Sequence, residues 1–473
     1  MQPNGVYTIR SFRGGISDEN NKGIAGAFKF GYGLDIRSRD DVLQCGNALA
    51  KESGSVVTDL IRFIVPCTNG KAYGFGDTGN IYERSGTTWV LRYADANGAI
   101  TGADEWNGYL YWCCTNGKLS RIQVSAIPAA TWTTELTHDY QTGLATGVWN
   151  SMSKATGNLL ICNGQYLAMV DYSSPAVFSA DALDLIPGNI ASCLDEKDEY
   201  VVIGSTRSDN AELGYLWTWT TEYLNWVQKK KLSSKGVNAL ITTEFMLAQC
   251  GVDGEVYYSD MISKVPVFAF PDGGSAVPGG VDQRKGLALF GISGNSSQKC
   301  GVYSYGRQKK NLPVALSLDY VPSPGLLTGI SIGAVQMVNG TLLVAWKNGT
   351  SYGVDALSAS TKMAGIYEGL EWDASKPFNQ KTFLQTKIEM DALPASCSIV
   401  LKYKLDRASS WTTAKTIDGN SSFATAGKTN AIFNINAQGK TIELRVELTP
   451  STIYTPVIRS INTFFLMGNK ILI

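Results

Sequence analysis

Tyr109-Leu110-Tyr111-Trp112-Cys113-Cys114-Thr115-Asn116-Gly117-Lys118-Leu119 is a short apolar run, an Asn-Gly pair and the start of a second run. The same arrangement surrounds Asn69-Gly70, Asn163-Gly164, Asp253-Gly254 and Asn348-Gly349. Asn-Gly and Asp-Gly favour two-residue hairpin turns, because a type I′ turn holds both central residues at positive φ. Asn69, Asn116 and Asn163 lie 47 residues apart, and the next two intervals, 90 and 95 residues, are close to twice that. Polar stretches fill the two skipped slots: Gly204 to Gly214, between YVVI and YLWTW, and Gly294 to Lys299, between LALFGI and CGVYSY. Seven hairpins then run from Ile61 to Asp355.

The strands before these turns are aliphatic, aromatic and β-branched. They read Phe63-Ile64-Val65, Tyr109 to Trp112, Leu159-Leu160-Ile161, Tyr200 to Ile203, Phe245-Met246-Leu247, Leu287 to Phe290 and Leu342-Leu343-Val344. Runs of this length and composition suit strands covered on both faces. A strand-built period of roughly 40–50 residues is the mark of a β-propeller, one four-stranded blade per repeat. The expectation is an all-β, seven-bladed propeller, with six or eight blades if one loop is counted otherwise. Unrelated hairpins in a pair of β-sandwiches are the competing reading, and the regular spacing weighs against it.

Three consecutive segments follow. Residues 1–50 carry no repeat and read as an extended N-terminal arm, in which Phe28 to Arg37 alternates well enough to supply the outer strand that closes the ring. Residues 51–373 form the propeller. Ala374 to Gln380 (ASKPFNQ) reads as a linker, and the remainder of 374–473 as a C-terminal β-sandwich or jelly roll. There Ile388, Met390, Ile399, Leu401, Tyr403 and Leu405, then Ile442, Leu444, Val446 and Leu448, alternate with polar residues, the pattern of a sheet buried on one face.

Composition sets limits. The 473 residues include 41 Lys and Arg against 41 Asp and Glu, so nucleic-acid binding driven by overall charge is not indicated. Met1 to Gly5 lacks the basic and apolar regions of a secretory signal, and the longest apolar stretch, Leu326 to Trp346, is interrupted by Gln336 and Asn339-Gly340, so no membrane span is expected. Nine cysteines have no paired CxxC spacing. Cys67, Cys114 and Cys162 recur just before successive turns, as small core residues do, which points to folding in a reducing cytoplasm.

Catalytic patterns are sparse. His138 is the single histidine, placed in an inter-blade loop beside Asp139, and no GxSxG elbow, P-loop or HExxH occurs. Carboxylates alone can hydrolyse sugars, and Tyr82 to Trp89 resembles the Asp-box turn of sialidase propellers, SxDxGxTW. It keeps Gly86, Thr88 and Trp89 but has Tyr82 and Arg84 where Ser and Asp belong. The expectation is no enzyme, no cofactor and no metal. Two basic clusters, Lys229, Lys230 and Lys231 with Lys235, and Arg307 with Lys309 and Lys310, follow the post-turn strands of the fourth and sixth units and are the candidate surface for DNA or an acidic partner. Trp132, Trp217, Trp219 and Trp226 are candidates for loop tips that stack on glycans, against the commoner role of packing between blades.

An arm with Phe12-Arg13-Gly14-Gly15 and Gly33-Leu34-Asp35-Ile36-Arg37, irregular blades, and a closing module with Lys402-Tyr403-Lys404-Leu405-Asp406, Ser410-Trp411-Thr412-Thr413 and Arg459-Ser460-Ile461 together resemble a bacteriophage virion protein. The organisation is similar to the tail nozzle, or tail hub, family of short-tailed phages. That resemblance implies a structural subunit made in the host cytoplasm and carried in the virion tail. It implies a homo-oligomeric ring around the DNA channel, contact with adaptor, fibre or spike proteins, and non-specific contact with DNA in transit. It transfers no functional residue. The alternative is a receptor-binding or fibre-associated propeller that recognises host surface glycans.

Overall fold

The structure is a computed structural model that describes residues 5–19, 24–39, 41–52, 57–126, 132, 136–209, 213–232, 235–244, 246–294, 299–327 and 329–467. The chain folds as two compact units. One comprises Ala50–Val302 and Pro322–Ala356; the other comprises Met1–Leu49, Tyr303–Val321 and Leu357–Ile473. The expected boundaries at residues 50 and 373 thus compare with four crossings of the chain between units.

The first unit is a β-propeller. Its opening four-stranded sheet is Ile61–Pro66, Ala72–Gly76, Asn80–Ser85 and Thr88–Ala94. The next four sheets begin with Ile100–Trp106, Met152–Ser153, Asn189–Lys197 and Val237–Thr242, each followed by three strands paired in chain order. A hairpin of Val281–Arg284 and Leu287–Ile292 comes next, then a sheet of Ile330–Val338, Thr341–Asn348 and Ser351–Lys362 whose fourth strand is Asn47–Lys51. The first strands touch one another in chain order, and Ile330–Val338 comes back to Ile61–Pro66, which closes the ring. Second strands such as Leu159–Asn163, Met246–Cys250 and Leu287–Ile292 are buried along their whole length, because neighbouring blades cover both faces.

Closure differs from the sequence expectation. Phe28 to Tyr32 pairs with Gly365–Gly369 in the other unit, and the ring-closing strand is Asn47–Lys51. Just beyond it, the Glu52 amide donates to Val354 O at 3.0 Å in the last blade. The Glu52 carboxylate, almost fully buried, receives Arg84 Nε at 3.0 and 3.1 Å and Trp89 Nε1 at 2.8 Å from the first blade. One residue therefore fastens the last blade to the first. The Asp-box-like stretch turns out to be the hairpin that delivers Arg84 and Trp89 to Glu52.

The turns also differ. Gly70, Gly117, Gly164, Gly254 and Gly349 have positive φ, but none of the preceding Asn or Asp residues does, so these are not type I′ turns. At Asn69-Gly70 and Asn116-Gly117 the glycine amide donates three residues back, to Cys67 O and Cys114 O, both at 2.9 Å, and the glycine makes the bulge of a three-residue hairpin. In the Asn163 and Asn348 hairpins the glycine is instead the first of two central residues, as in a II′ turn. The Asn69 turn joins the first and second strands of its sheet, whereas the other four join second and third strands, so the first 47-residue interval is a coincidence of phase. Asn210 to Glu212, Phe245 and Asn295 to Gln298, which belong to the expected repeat, lie outside the described residues.

In the second unit one sheet runs Lys415–Thr416, Asn430–Gly439, Lys381–Met390, Val457–Met467, Leu43–Cys45, Leu34–Asp35, with Gly5–Ile9 also paired to Val457–Met467. Within this unit Ala27–Tyr32, Gly365–Gly369, Ile442–Thr449 and Ser398–Leu405 pair in that order. Ile388, Met390, Ile399, Leu401, Ile442, Leu444, Val446 and Leu448 enter one hydrophobic core, as their alternation implies, together with Phe12, Phe28, Leu34 and Ile36 from the expected arm. The described strands between Gly5 and Cys45 therefore belong to the sheets of this unit. The Lys381 side chain is buried, and Nζ donates to the carbonyls of Lys376, Asn379 and Lys440, which pins the ASKPFNQ stretch.

Removing Glu52 strands a largely buried guanidinium, which costs about 3 kcal/mol or more. Glu52→Ala is expected to lower the thermal midpoint far more than the double variant Glu52→Ala with Arg84→Met, measured by calorimetry. Equal losses would show that the ring closes without this ion pair. At the turns, a Cβ on Gly117 would meet Leu144 O at 2.2 Å, while one on Gly70 meets nothing within 4 Å. Both have positive φ, so Gly70→Ala should cost about 1 kcal/mol and Gly117→Ala clearly more in urea unfolding.

Candidate functional site

The two basic clusters fall in different units. Lys229, Lys230 and Lys231 form the outer strand of the fourth sheet, Gln228–Lys231. Lys229 Nζ lies 4.4 Å from the Tyr215 ring centroid and 4.6 Å from that of Trp217, and burial pushes its pKa down. Lys230 donates to Ile262 O at 2.5 Å, and Lys235 approaches Asp253 at 3.9 Å. Three of these four lysines are thus engaged by their own chain, and Lys231 is exposed. In the other unit Lys309 and Lys310 are exposed, and Arg307 donates to Lys310 O at 3.1 Å. Arg307 also lines a small recess with Arg13 and Arg37, which sequence reading had not joined to it. Arg37 pairs with Asp319 at 3.0 Å and donates to Ala315 O at 2.7 Å. The FRGG and GLDIR stretches therefore meet there, a convergence without a local signal because some 270 residues separate Arg37 from Arg307.

The carboxylates of the propeller are fasteners. Glu105 accepts from Thr68 N at 2.8 Å, Asp195 from Thr242 N at 2.6 Å and Oγ1 at 2.8 Å, and Asp282 from Met337 N. Each links one sheet to the next. Asp355 accepts from Trp346 Nε1 at 2.7 Å and Ser323 Oγ at 2.8 Å, and Asp95 from Trp112 Nε1 at 2.8 Å. Burial holds Asp104, Asp195 and Asp355 above the usual carboxylate range and pushes Asp282 up to about 6. His138 lies on the outer strand Leu136–Gln141 of the second sheet, not in a loop. Its Nε2 is 2.9 Å from Asn97 Nδ2 and 3.3 Å from Asp95 Oδ1, and its Nδ1 is 3.1 Å from Asp139 Oδ1, so both ring nitrogens are engaged by neighbouring side chains. All nine cysteines are buried and free, and burial raises the thiols of Cys45 and Cys193 to about 11 and 12 and those of Cys67, Cys114 and Cys162 further. These thiols are core atoms, not nucleophiles.

The tryptophans are core as well. Trp132, Trp217 and Trp219 are buried, and Trp226 packs edge-on against Trp217 with centroids 5.3 Å apart. The exposed apolar side chains lie elsewhere, notably Tyr223, Leu224, Val227 and Ile262 on the outer loops of the fourth and fifth sheets and Val265 on the outer strand of the fifth. Beside them a cleft of about 350 Å³ is lined by Tyr200, Met246, Tyr258, Met261 and Ile262. A second cleft of about 310 Å³ gathers Trp149, Ile190, Ser192, Val237, Asn238 and Ala276 from the starts of consecutive sheets. Both were missed because their residues come from separate repeats and none is chemically distinctive. Among the described residues no helix is long and apolar enough to cross a membrane, which leaves strand-built spans aside.

No family model matches the sequence, and a comparison with characterised proteins finds no match. Among solved structures, the chain is similar to the WD40 β-propeller domain of Doa1, with 12% identity over 66% of this chain and 97% of that one and a TM-score of 0.45. It is similar to the RRP9 WD40 repeats, with 12% identity, 66% and 99% coverage and a TM-score of 0.46. The extracellular domain of a putative one-component system from B. thetaiotaomicron gives 13% identity, 74% and 43% coverage and a TM-score of 0.46. At these scores the propeller assignment rests on the chain's own strand order.

Asp282 offers a pH test of the fasteners. Its folded pKa, about 6, is above the ordinary 3.8, so its stabilising contribution is complete below about pH 4 and lost as pH rises through 6. The difference in unfolding free energy between the wild type and Asp282→Asn should therefore shift against the wild type by about 2 kcal/mol between pH 4 and pH 7.5. A pH-independent difference in chemical denaturation would show that Asp282 is ionised at no cost.

Proposed function

We propose that this chain is a non-enzymatic structural subunit of a bacteriophage tail, of the nozzle or adaptor kind, that assembles with copies of itself into a ring around the DNA channel and holds fibres or spikes. The observation that carries the reading is the fourfold crossing of the chain between its two units, at residues 49/50, 302/303, 321/322 and 356/357. A pull between units joined by one linker loads a single strand of chain, whereas four connections share it. Such connectivity suits a part through which DNA is driven under force.

Other features agree with it. The carboxylates and thiols that an enzyme would deploy are spent on fastening blades and filling cores. Seven first strands in cyclic contact favour a seven-bladed ring, and the shared core of the second unit favours a β-sandwich. Exposed Lys231, Lys309 and Lys310 supply the basic side chains for passing contact with DNA or an acidic tail partner. Synthesis in the host cytoplasm and residence in the virion follow from this reading. The glycan-binding alternative loses its platforms, since Trp132 is buried and Trp226 is packed on Trp217.

Mass photometry of the purified chain and proteomics of purified particles test the proposal together. The expected result is a closed ring of several copies and recovery of the chain from tailed particles. A monomer at tens of micromolar that is absent from particles would overturn it.

A further inference from the structure

We infer that the ring is joined by β-sheet continuation: Gly5–Ile9 of one copy adds to the uncovered edge of Asn430–Gly439 in the next. This deepens the ring proposal and rests on it.

The sheet containing these strands has two open edges. Among the described residues Gly5–Ile9 pairs with Val457–Met467 alone, in register from Gly5↔Phe465 to Ile9↔Ile461. At the other end Asn430–Gly439 pairs along one side with Lys381–Met390. On its outer side, among the described residues, the strand partners are Lys415, opposite Asn434, and Thr416, opposite Phe433. Asn430, Ala431 and Ile432 have no strand partner there among the described residues. Folded proteins guard such edges with charges, prolines or bulges, because unpaired amides and carbonyls recruit another strand. Neither Gly5-Val6-Tyr7-Thr8-Ile9 nor Asn430-Ala431-Ile432 contains a charge or a proline.

The two edges match each other. All pairings from Gly5–Ile9 across to Asn430–Gly439 are antiparallel, so these two outer strands run in opposite directions. A second copy rotated about an axis along the strands brings its Gly5–Ile9 antiparallel to Asn430–Gly439, as every neighbour inside the sheet already is. The faces agree as well. Tyr7 and Ile9 pack on the core, as do Ala431 and Phe433, while Val6 and Ile432 point to the other face. Joining in that phase keeps core rows with core rows. Space is present too: beside Asn430 and Ile432 a cleft of about 350 Å³ is lined by Ile417, Phe423 and Lys428, with Ile417 largely exposed. Two different edges meeting is a heterologous contact, which builds a ring when its rotation closes. A second copy is the occupant that the pair of edges specifies, since one sheet carries both halves of the joint.

Because all nine native cysteines are buried, cysteines placed at Val6 and Ile432 are the reactive ones. The full chain carrying both Val6→Cys and Ile432→Cys, treated with a short bismaleimide, is expected to give a covalent ladder ending at the ring size on a denaturing gel. Each single variant should stay monomeric on the gel, and Thr8→Cys with Asn430→Cys repeats the experiment if the first pair disturbs folding. Dimers from Val6→Cys alone would overturn the inference in favour of a twofold edge contact. Crosslinking of either single variant to a different particle protein would overturn it too. Rings by mass photometry without a ladder from either pair would sink the joint and leave the ring reading standing; a monomeric wild type would remove both.

Discussion

Everything in the propeller depends on how its last blade is held to its first. A circular array of sheets has one seam, and an open seam exposes the apolar faces of two blades to water. Here the seam is crossed by Asn47–Lys51 and then fastened by Glu52, whose amide serves the last blade and whose carboxylate serves Arg84 and Trp89 of the first. Lys51 adds to the same end, donating to Tyr352 O at 2.8 Å with its ammonium 5.3 Å from the Trp346 ring centroid. Strand pairing alone would leave the outer strand free to peel. The buried ion pair makes peeling expensive, because it would separate charges that are already dehydrated.

The same logic recurs around the ring. At three other junctions one sheet reaches its neighbour through a carboxylate that accepts a backbone amide, that of Glu105, Asp195 or Asp282. An apolar contact between blades tolerates sliding; a carboxylate with two fixed donors does not. The cost is visible in the raised pKa values of Asp195 and Asp282, which burial leaves poorly solvated in their charged form. Register between blades is thus set at the expense of some stability at neutral pH.

The all-β class and the strands of the second unit were legible because period-two alternation and fully apolar runs are local signals. Ile399, Leu401, Ile442 and Leu444 are inward by their own neighbours' polarity. The turn at Asn69 misled because Asn-Gly marks a reversal without saying which two strands it joins, so one hairpin out of phase produced a 47-residue interval. The ring-closing strand was sought in the more regular Phe28 to Arg37, whereas Asn47–Lys51 has no comparable alternation and is defined by its partners. His138 was read as a loop residue because nothing near it in sequence announces Asp95, 43 residues away. Contacts of this range carry no period, and the convergence of Arg13, Arg37 and Arg307 was invisible for the same reason.

Long range also imposes an order on assembly. Gly5–Ile9 enters its sheet by pairing with Val457–Met467, at the opposite end of the described chain. Contacts so distant in sequence form late, since loop closure must be met before pairing rewards it. Until Val457–Met467 is in place, Gly5–Ile9 has no sheet to join. Asn47–Lys51 closes the propeller seam in the same way, so both strands depend on partners late in the sequence of their units. A chain built this way settles both its propeller seam and its Gly5–Ile9 strand through contacts that no local segment can make alone.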